Sequence, residues 1–297
     1  SLADQGFETF RASLEQARGG VVFTAHPTFS LSPELRAAIA GEAVKPGKPA
    51  RAALAEALQA DARGWNRAIT LASEHQEVQT ALLNAAAAQQ QFASLVFEVA
   101  QAHFPDDWRQ LRPALPTIAS WVGYDLDGRT DIHWSHSIAF RLTEKAEQLR
   151  RYHARVQAIL EHHPAAKGLV PLLERLDLAA GETALQAAMF TGDLQNPEHL
   201  VAAANRLTAE GPGRLVDAAE IVSALDSALA EAEGEESLAR DLLILRSQVE
   251  SQQLGTGRIH LRVNAAQIAT VISRELNLDT DERSLGRMAL AELSRRA

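Results

Sequence analysis

Three short runs of strand-forming residues, Val21–Thr24, Thr117–Val122 and Gly257–Val263, stand far apart in a chain otherwise dominated by helical periodicity. Strands joined through long helical excursions pair in parallel and are covered by their connecting helices. Each run ends in a polar turn containing glycine or proline, and strand-led α/β enzymes react at such carboxyl ends. The expected fold is therefore mainly α, with a few parallel strands. Three strands cannot close a barrel, which needs about eight. The sheet is either small or one part of a TIM-like α/β barrel embedded in many helices.

The rest of the chain reads as helix and punctuation. Phe7, Phe10 and Leu14 share one side of a helix over about Leu2–Arg18, which Gly19-Gly20 ends. Ser32-Pro33-Glu34 reads as an N-cap with proline at the first helical position. After a loop over Lys45–Pro49, helix extends from about Arg51 to His103 with a break near Gly64. Phe104–Pro116 carries three prolines and must be irregular. Further helices are expected over His133–His163, Leu169–Leu178, Glu182–Phe190, Pro197–Ala209, Arg214–Glu231, Glu236–Gln252 and Ala265–Leu276, with one more closing the chain. No repeat or domain linker is evident, so residues 1–297 read as one region. The start at Ser1-Leu2, without an initiator methionine, suggests a piece of a longer protein.

Alanine supplies much of the 46% hydrophobic fraction and aromatics only 5%, a balance that favours closely packed helices. A formal charge of −9 argues against a general nucleic-acid binder. No apolar run approaches membrane-spanning length, so no membrane partner is expected. The lack of cysteine removes disulfides, thiol nucleophiles and thiolate metal sites, and fits a cytoplasmic protein.

Three strand ends carry candidate chemistry. His26 lies between the Val21–Thr24 strand and Pro27, where it could accept a proton or pair with an anion near neutral pH. The alternative is an imidazole satisfied by a backbone carbonyl. Asp125 and Asp127 sit in a glycine-bounded turn where two carboxylates could bind a divalent ion or orient a base, or simply cap the turn. Arg258, His260, Arg262 and Asn264 alternate along the third run and would form an anion-binding face, unless that face is a wet sheet edge. Asp131, His133 and His136 lack a clear metal-ligand pattern, and His162-His163 suits a helix carboxyl end.

In this order the three motifs resemble phosphoenolpyruvate carboxylase. Thr24-Ala25-His26-Pro27-Thr28 is similar to the family's histidine motif, Ser120–Gly128 to its Ser-Trp-x-Gly-Gly-Asp-Arg-Asp-Gly motif, and Gly257–Leu261 to a third strand. The resemblance covers all of this chain but only the amino-terminal part of such a protein. It implies part of a carbon–carbon lyase joining phosphoenolpyruvate and bicarbonate into oxaloacetate and phosphate. It also implies a homo-oligomer, with Mg2+ or Mn2+ held by a carboxyl-terminal region of the same chain. No metal site is expected within these residues, nor activity from them alone. His26 would be catalytic, while Arg258, Arg262 and Asp127 would bind substrate. The chain departs from the family where Phe29 replaces a glutamate and Ser32, Leu126 and Gln267 replace arginines; Arg36 lies one helical turn from Ser32. The lost arginines at Leu126 and Gln267 favour one alternative, a non-catalytic regulatory or scaffolding relative; a third reading, resting on the two carboxylates, is a small metal-dependent hydrolase using Asp125 and Asp127.

Overall fold

The computed structural model describes residues 3–17, 19–24, 31–62, 69–127 and 129–276. Three parallel strands, β1 (Gly20–Phe23), β2 (Thr117–Ser120) and β3 (Arg258–Ile259), form one sheet in sequential order. Gly20 pairs with Thr117 and Phe23 with Ser120, while Ala119 pairs with Arg258 and Ser120 with Ile259. Among the described residues the sheet does not close. Val21 and Val22, successive residues of the β1 edge, are 52% and 40% exposed.

Four helices occupy the first stretches of chain: α1 (Phe7–Glu15) before β1, then α2 (Pro33–Val44), α3 (Lys48–Ala62) and α4 (Leu71–His103) between β1 and β2. Ser32 caps α2 by accepting the Leu35 N–H at 3.2 Å, as its place before Pro33 predicts. Helix α3 starts at Lys48, earlier than expected, because proline is tolerated in a first turn where its missing N–H has no partner to lose. Thr70 and Ser73 form a reciprocal capping box at the start of α4. The proline-rich segment after α4 is irregular except for one short turn of 3-10 helix, Trp108–Gln110, which buries Trp108.

The excursion from β2 to β3 contains α5 (Trp134–His162), α6 (Val170–Met189), α7 (Pro197–Thr208), α8 (Ala219–Glu231) and α9 (Glu236–Gln252). Helix α10 (Ala265–Leu276) follows β3, and the expected closing helix lies outside the described residues. Two of the expected helices are in fact one: α6 runs unbroken through Gly181. An interior glycine costs only about 1 kcal/mol, and the burial of Ala179, Ala180 and Thr183 beside it outweighs that. The Arg214–Glu231 helix begins only at Ala219, whose N–H is accepted by the Asp217 carboxylate at 2.9 Å.

The third strand is also shorter than its alternation predicts. Pairing stops at Ile259, with one further bridge between Asp125 and Arg262. Leu261 is exposed, and so are Arg258, His260, Arg262 and Asn264. Among the described residues no strand lies beyond it, so the alternation has no covered face to impose.

Helices α4 and α9 pack against the sheet, α5 pairs along its length with α6, and α8 lies on α9. Leu149 and Val156 of α5, Leu176 of α6, Leu225 of α8, and Leu242 and Leu245 of α9 belong to one apolar cluster. A second joins Phe10, Phe97, Trp108, Leu111 and Leu243. Helix α9 contributes to both, burying apolar residues on two sides while Arg240, Asp241, Arg246 and Glu250 stay at least partly exposed. A smaller cluster, Val78, Leu82, Ala86, Ile118 and Val122, seats β2 on α4.

Candidate functional site

The parallel register brings the carboxyl ends of the three strands side by side, and backbone groups hold them there. The Ser120 hydroxyl donates to the Phe23 carbonyl at 2.9 Å and accepts the Val122 N–H at 3.1 Å. His260 N–H donates to the Ser120 carbonyl at 2.9 Å. Beyond the strands, Arg262 N–H donates to the Tyr124 carbonyl at 3.0 Å and Leu126 N–H to the Arg262 carbonyl at 2.8 Å. The Asp125 carboxylate faces the Arg262 guanidinium at 3.3 Å, while its second oxygen, Oδ1, is buried without a hydrogen-bond partner. The turn and the third strand are thus locked together by main chain and charge alike.

His26, Thr28 and Phe29 lie outside the described residues. The structure does place their neighbours: Ser32 N–H is bonded to the Asp61 carboxylate at 3.0 Å, and Arg36 is paired with Glu77 of α4 at 2.6 Å. Asp127 is exposed on the turn, whereas Asp125 is half-buried against Arg262. Among the described residues no three His, Cys, Asp or Glu side chains gather as a cation would require. Arg258 and His260 present a guanidinium and an imidazole to solvent beside the Arg262–Asp125 pair, a set able to hold a small anion.

Two other histidines, His133 and His163, have structural partners. His133 caps α5, its ring nitrogen accepting the Ser135 N–H at 3.4 Å. Asp131 pairs with Arg129 at 2.6 Å, and Arg129 also bonds Glu74. The Arg129 guanidinium holds the Asp131 carboxyl below its usual range. His163 lies 3.2 Å from Asp241.

Directly beneath the strand-end turns lies a buried polar network that the sequence reading missed. Glu144 of α5 accepts the Tyr124 hydroxyl at 2.7 Å, His75 Nε2 at 2.9 Å and the Gln79 amide at 3.1 Å on one oxygen. Its other oxygen accepts Arg141 at 3.1 Å, and Arg141 donates in turn to the Gly257 carbonyl at 3.1 Å. Thr256 closes the set by donating to Gln79 at 2.6 Å. Burial first, and the Glu144 charge second, push the Tyr124 hydroxyl far above its ordinary pKa, so it remains a donor.

Two glycines make room for this arrangement. Gly123 has φ +91°, and a Cβ there would fall 2.8 Å from Phe140, which stacks on the His75 ring at 4.0 Å. At Gly255 a Cβ would lie 2.1 Å from the Arg141 guanidinium.

No family model matches this chain, and no curated protein does.

One signal in the sequence could have found the network. Ser137, Arg141, Glu144, Gln148, Arg151 and Arg155 recur at every third or fourth position of the predicted helix. That is a polar stripe at helical spacing. Its partner His75, 69 residues from Glu144, carries no local signature.

Proposed function

We propose that the chain is the amino-terminal region of a divergent phosphoenolpyruvate carboxylase, contributing three strands of an incomplete α/β barrel and one wall of a carboxylation site. The single observation that supports this reading is the adjacency of the three motif-bearing strand ends. Segments about 100 and about 140 residues apart in sequence, each chosen by its resemblance to the family, end side by side on a parallel sheet. The Asp125–Arg262 contact joins the second to the third.

The reaction must hold two anions together and stabilise an enolate. In this reading exposed Arg258 and His260 contribute to anion capture, Arg262 is oriented by Asp125, and the Glu144–Arg141–Tyr124 network fixes the turns that carry them. His26 would act on the carboxylation partner. In this reading the divalent cation belongs to the carboxyl-terminal region of the complete protein.

A coupled assay for oxaloacetate and phosphate, with phosphoenolpyruvate, bicarbonate and magnesium, tests the proposal. The 297-residue chain is expected to be inactive and the complete protein active. His26→Asn in the complete protein is expected to lower kcat by about a hundredfold or more, the usual scale for a lost proton-transfer group. Wild-type turnover in that variant would dismiss His26. No turnover in the complete protein would favour the non-catalytic relative instead, which the loss of arginine at Leu126 and Gln267 motivates.

A further inference from the structure

Between α4, α5 and α9 lies a cavity of about 290 Å3, on the side of the molecule where Pro116 leads into β2. Arg151 and Arg155, one turn apart on α5, line it together with Gln90 of α4 and Gln148, Gln248 and Gln252. No carboxylate lines it among the described residues. Arg155 makes no ion pair among them, and its Nε is buried without an acceptor. Arg151 donates to the Gln148 side-chain oxygen, Oε1, at 3.1 Å. The carboxylate whose field reaches Arg151 is Glu147, half-exposed and already beside Arg150.

Both arginines are half-buried, and two guanidiniums lining one hollow with no carboxylate among its described residues are the arrangement that a bound anion completes, because partly desolvated cations favour a partner. The lining is held before any ligand arrives. Gln148 donates to Gln252 at 2.7 Å, Gln252 to Gln89 at 2.8 Å, and Gln89 to the Pro116 carbonyl and, at 3.2 Å, to Ser251. This amide chain pins Gln148, which in turn positions Arg151. Burial is the main influence lowering the Arg151 pKa from its ordinary value, which is consistent with a cation short of its anion.

We propose that this cavity is a binding site for a small dianion, either a phosphomonoester or a dicarboxylate, gripped by the Arg151 and Arg155 forks with the glutamine amides around it. Guanidinium forks match both oxyanions bidentately, and an i,i+4 pair spans two charged ends. The site is separate from the strand-end turns and does not depend on the carboxylase reading.

Calorimetry and thermal melts of the 297-residue chain, at constant ionic strength set with sodium chloride, test it with inorganic phosphate and with succinate. One saturable site is expected for at least one of the two, with a matching rise in Tm; the tighter anion identifies the source. Arg151→Gln with Arg155→Gln is expected to weaken binding at least about tenfold. Without anion this double variant should melt no lower than wild type, since it removes uncompensated charge. Arg155→Lys should bind more weakly than wild type but more tightly than the double variant, keeping charge without the fork. Absence of saturable heat from either anion up to about 10 mM would overturn the site. So would unchanged affinity in the double variant, or a collapse of its anion-free Tm showing that the arginines serve packing instead.

Discussion

Helix α5 has two faces that obey different rules. One packs Leu149 and Val156 into the apolar cluster shared with α6, α8 and α9. The other carries Arg141, Glu144, Gln148, Arg151 and Arg155 toward α4, α9 and the strand-end turns. On the first face each side chain contributes roughly in proportion to the area and volume it buries, with no special partner. On the second, a group is stable only while its particular partners are present. The apolar face holds the molecule together; the polar face decides how the turns are held, because a carboxylate with four donors admits few alternative arrangements.

The largest effect that could break this comparison is a pair of truncations. Leu149→Ala should cost about 2–5 kcal/mol by leaving a cavity. Glu144→Ala should cost about 3 kcal/mol by stranding buried donors. Urea unfolding should then show that His75→Ala and Glu144→Ala together cost less than their sum, by about 1 kcal/mol or more. Additive costs would mean that the polar face behaves like the apolar one.

A smaller effect concerns alkaline pH. The chain has two tyrosines, both buried, and burial raises both hydroxyls well above their ordinary value. Above about pH 10 the unfolded chain loses tyrosine protons that the folded chain keeps. The unfolded state then binds fewer protons, so stability falls as pH rises. Tyrosinate absorbance is expected only as the protein unfolds, and Tyr124→Phe should flatten the alkaline loss while costing about 1 kcal/mol at neutral pH. Gradual tyrosinate formation in the folded protein would show that the network beneath the turns is open to water.

The smallest effect is at the surface. Arg129 depresses the Asp131 carboxyl, so their pair stabilises above the ordinary carboxylate pKa and is lost as pH falls through the lowered one. Asp131 is half-exposed, and Asp131→Asn should cost under about 0.5 kcal/mol at neutral pH, measured by the same urea titration. A larger cost would extend the partner-dependent behaviour of the buried network to solvent.

Local chemistry in the sequence determined where the elements fall. Valine runs, proline positions, the Ser32 cap and apolar spacing place the three strands and most helices, because these preferences act within a turn or two of chain. The sequence misjudged Gly181 and the length of β3, where neighbours outweigh propensity: packing carries a helix through a glycine, and pairing ends where no further strand supplies it. It also made legible that the three strand ends bear unusual polar residues; the polar stripe of α5 is in the sequence too, but only its buried partners give it meaning. Only the tertiary structure decided that Asp125 meets Arg262, that Glu144 meets His75, and that Arg151 and Arg155 line a space without a counter-charge. Those pairings join residues that are distant along the chain. They exist because burial makes an unpartnered polar group costly, and no local pattern encodes which distant group will meet it.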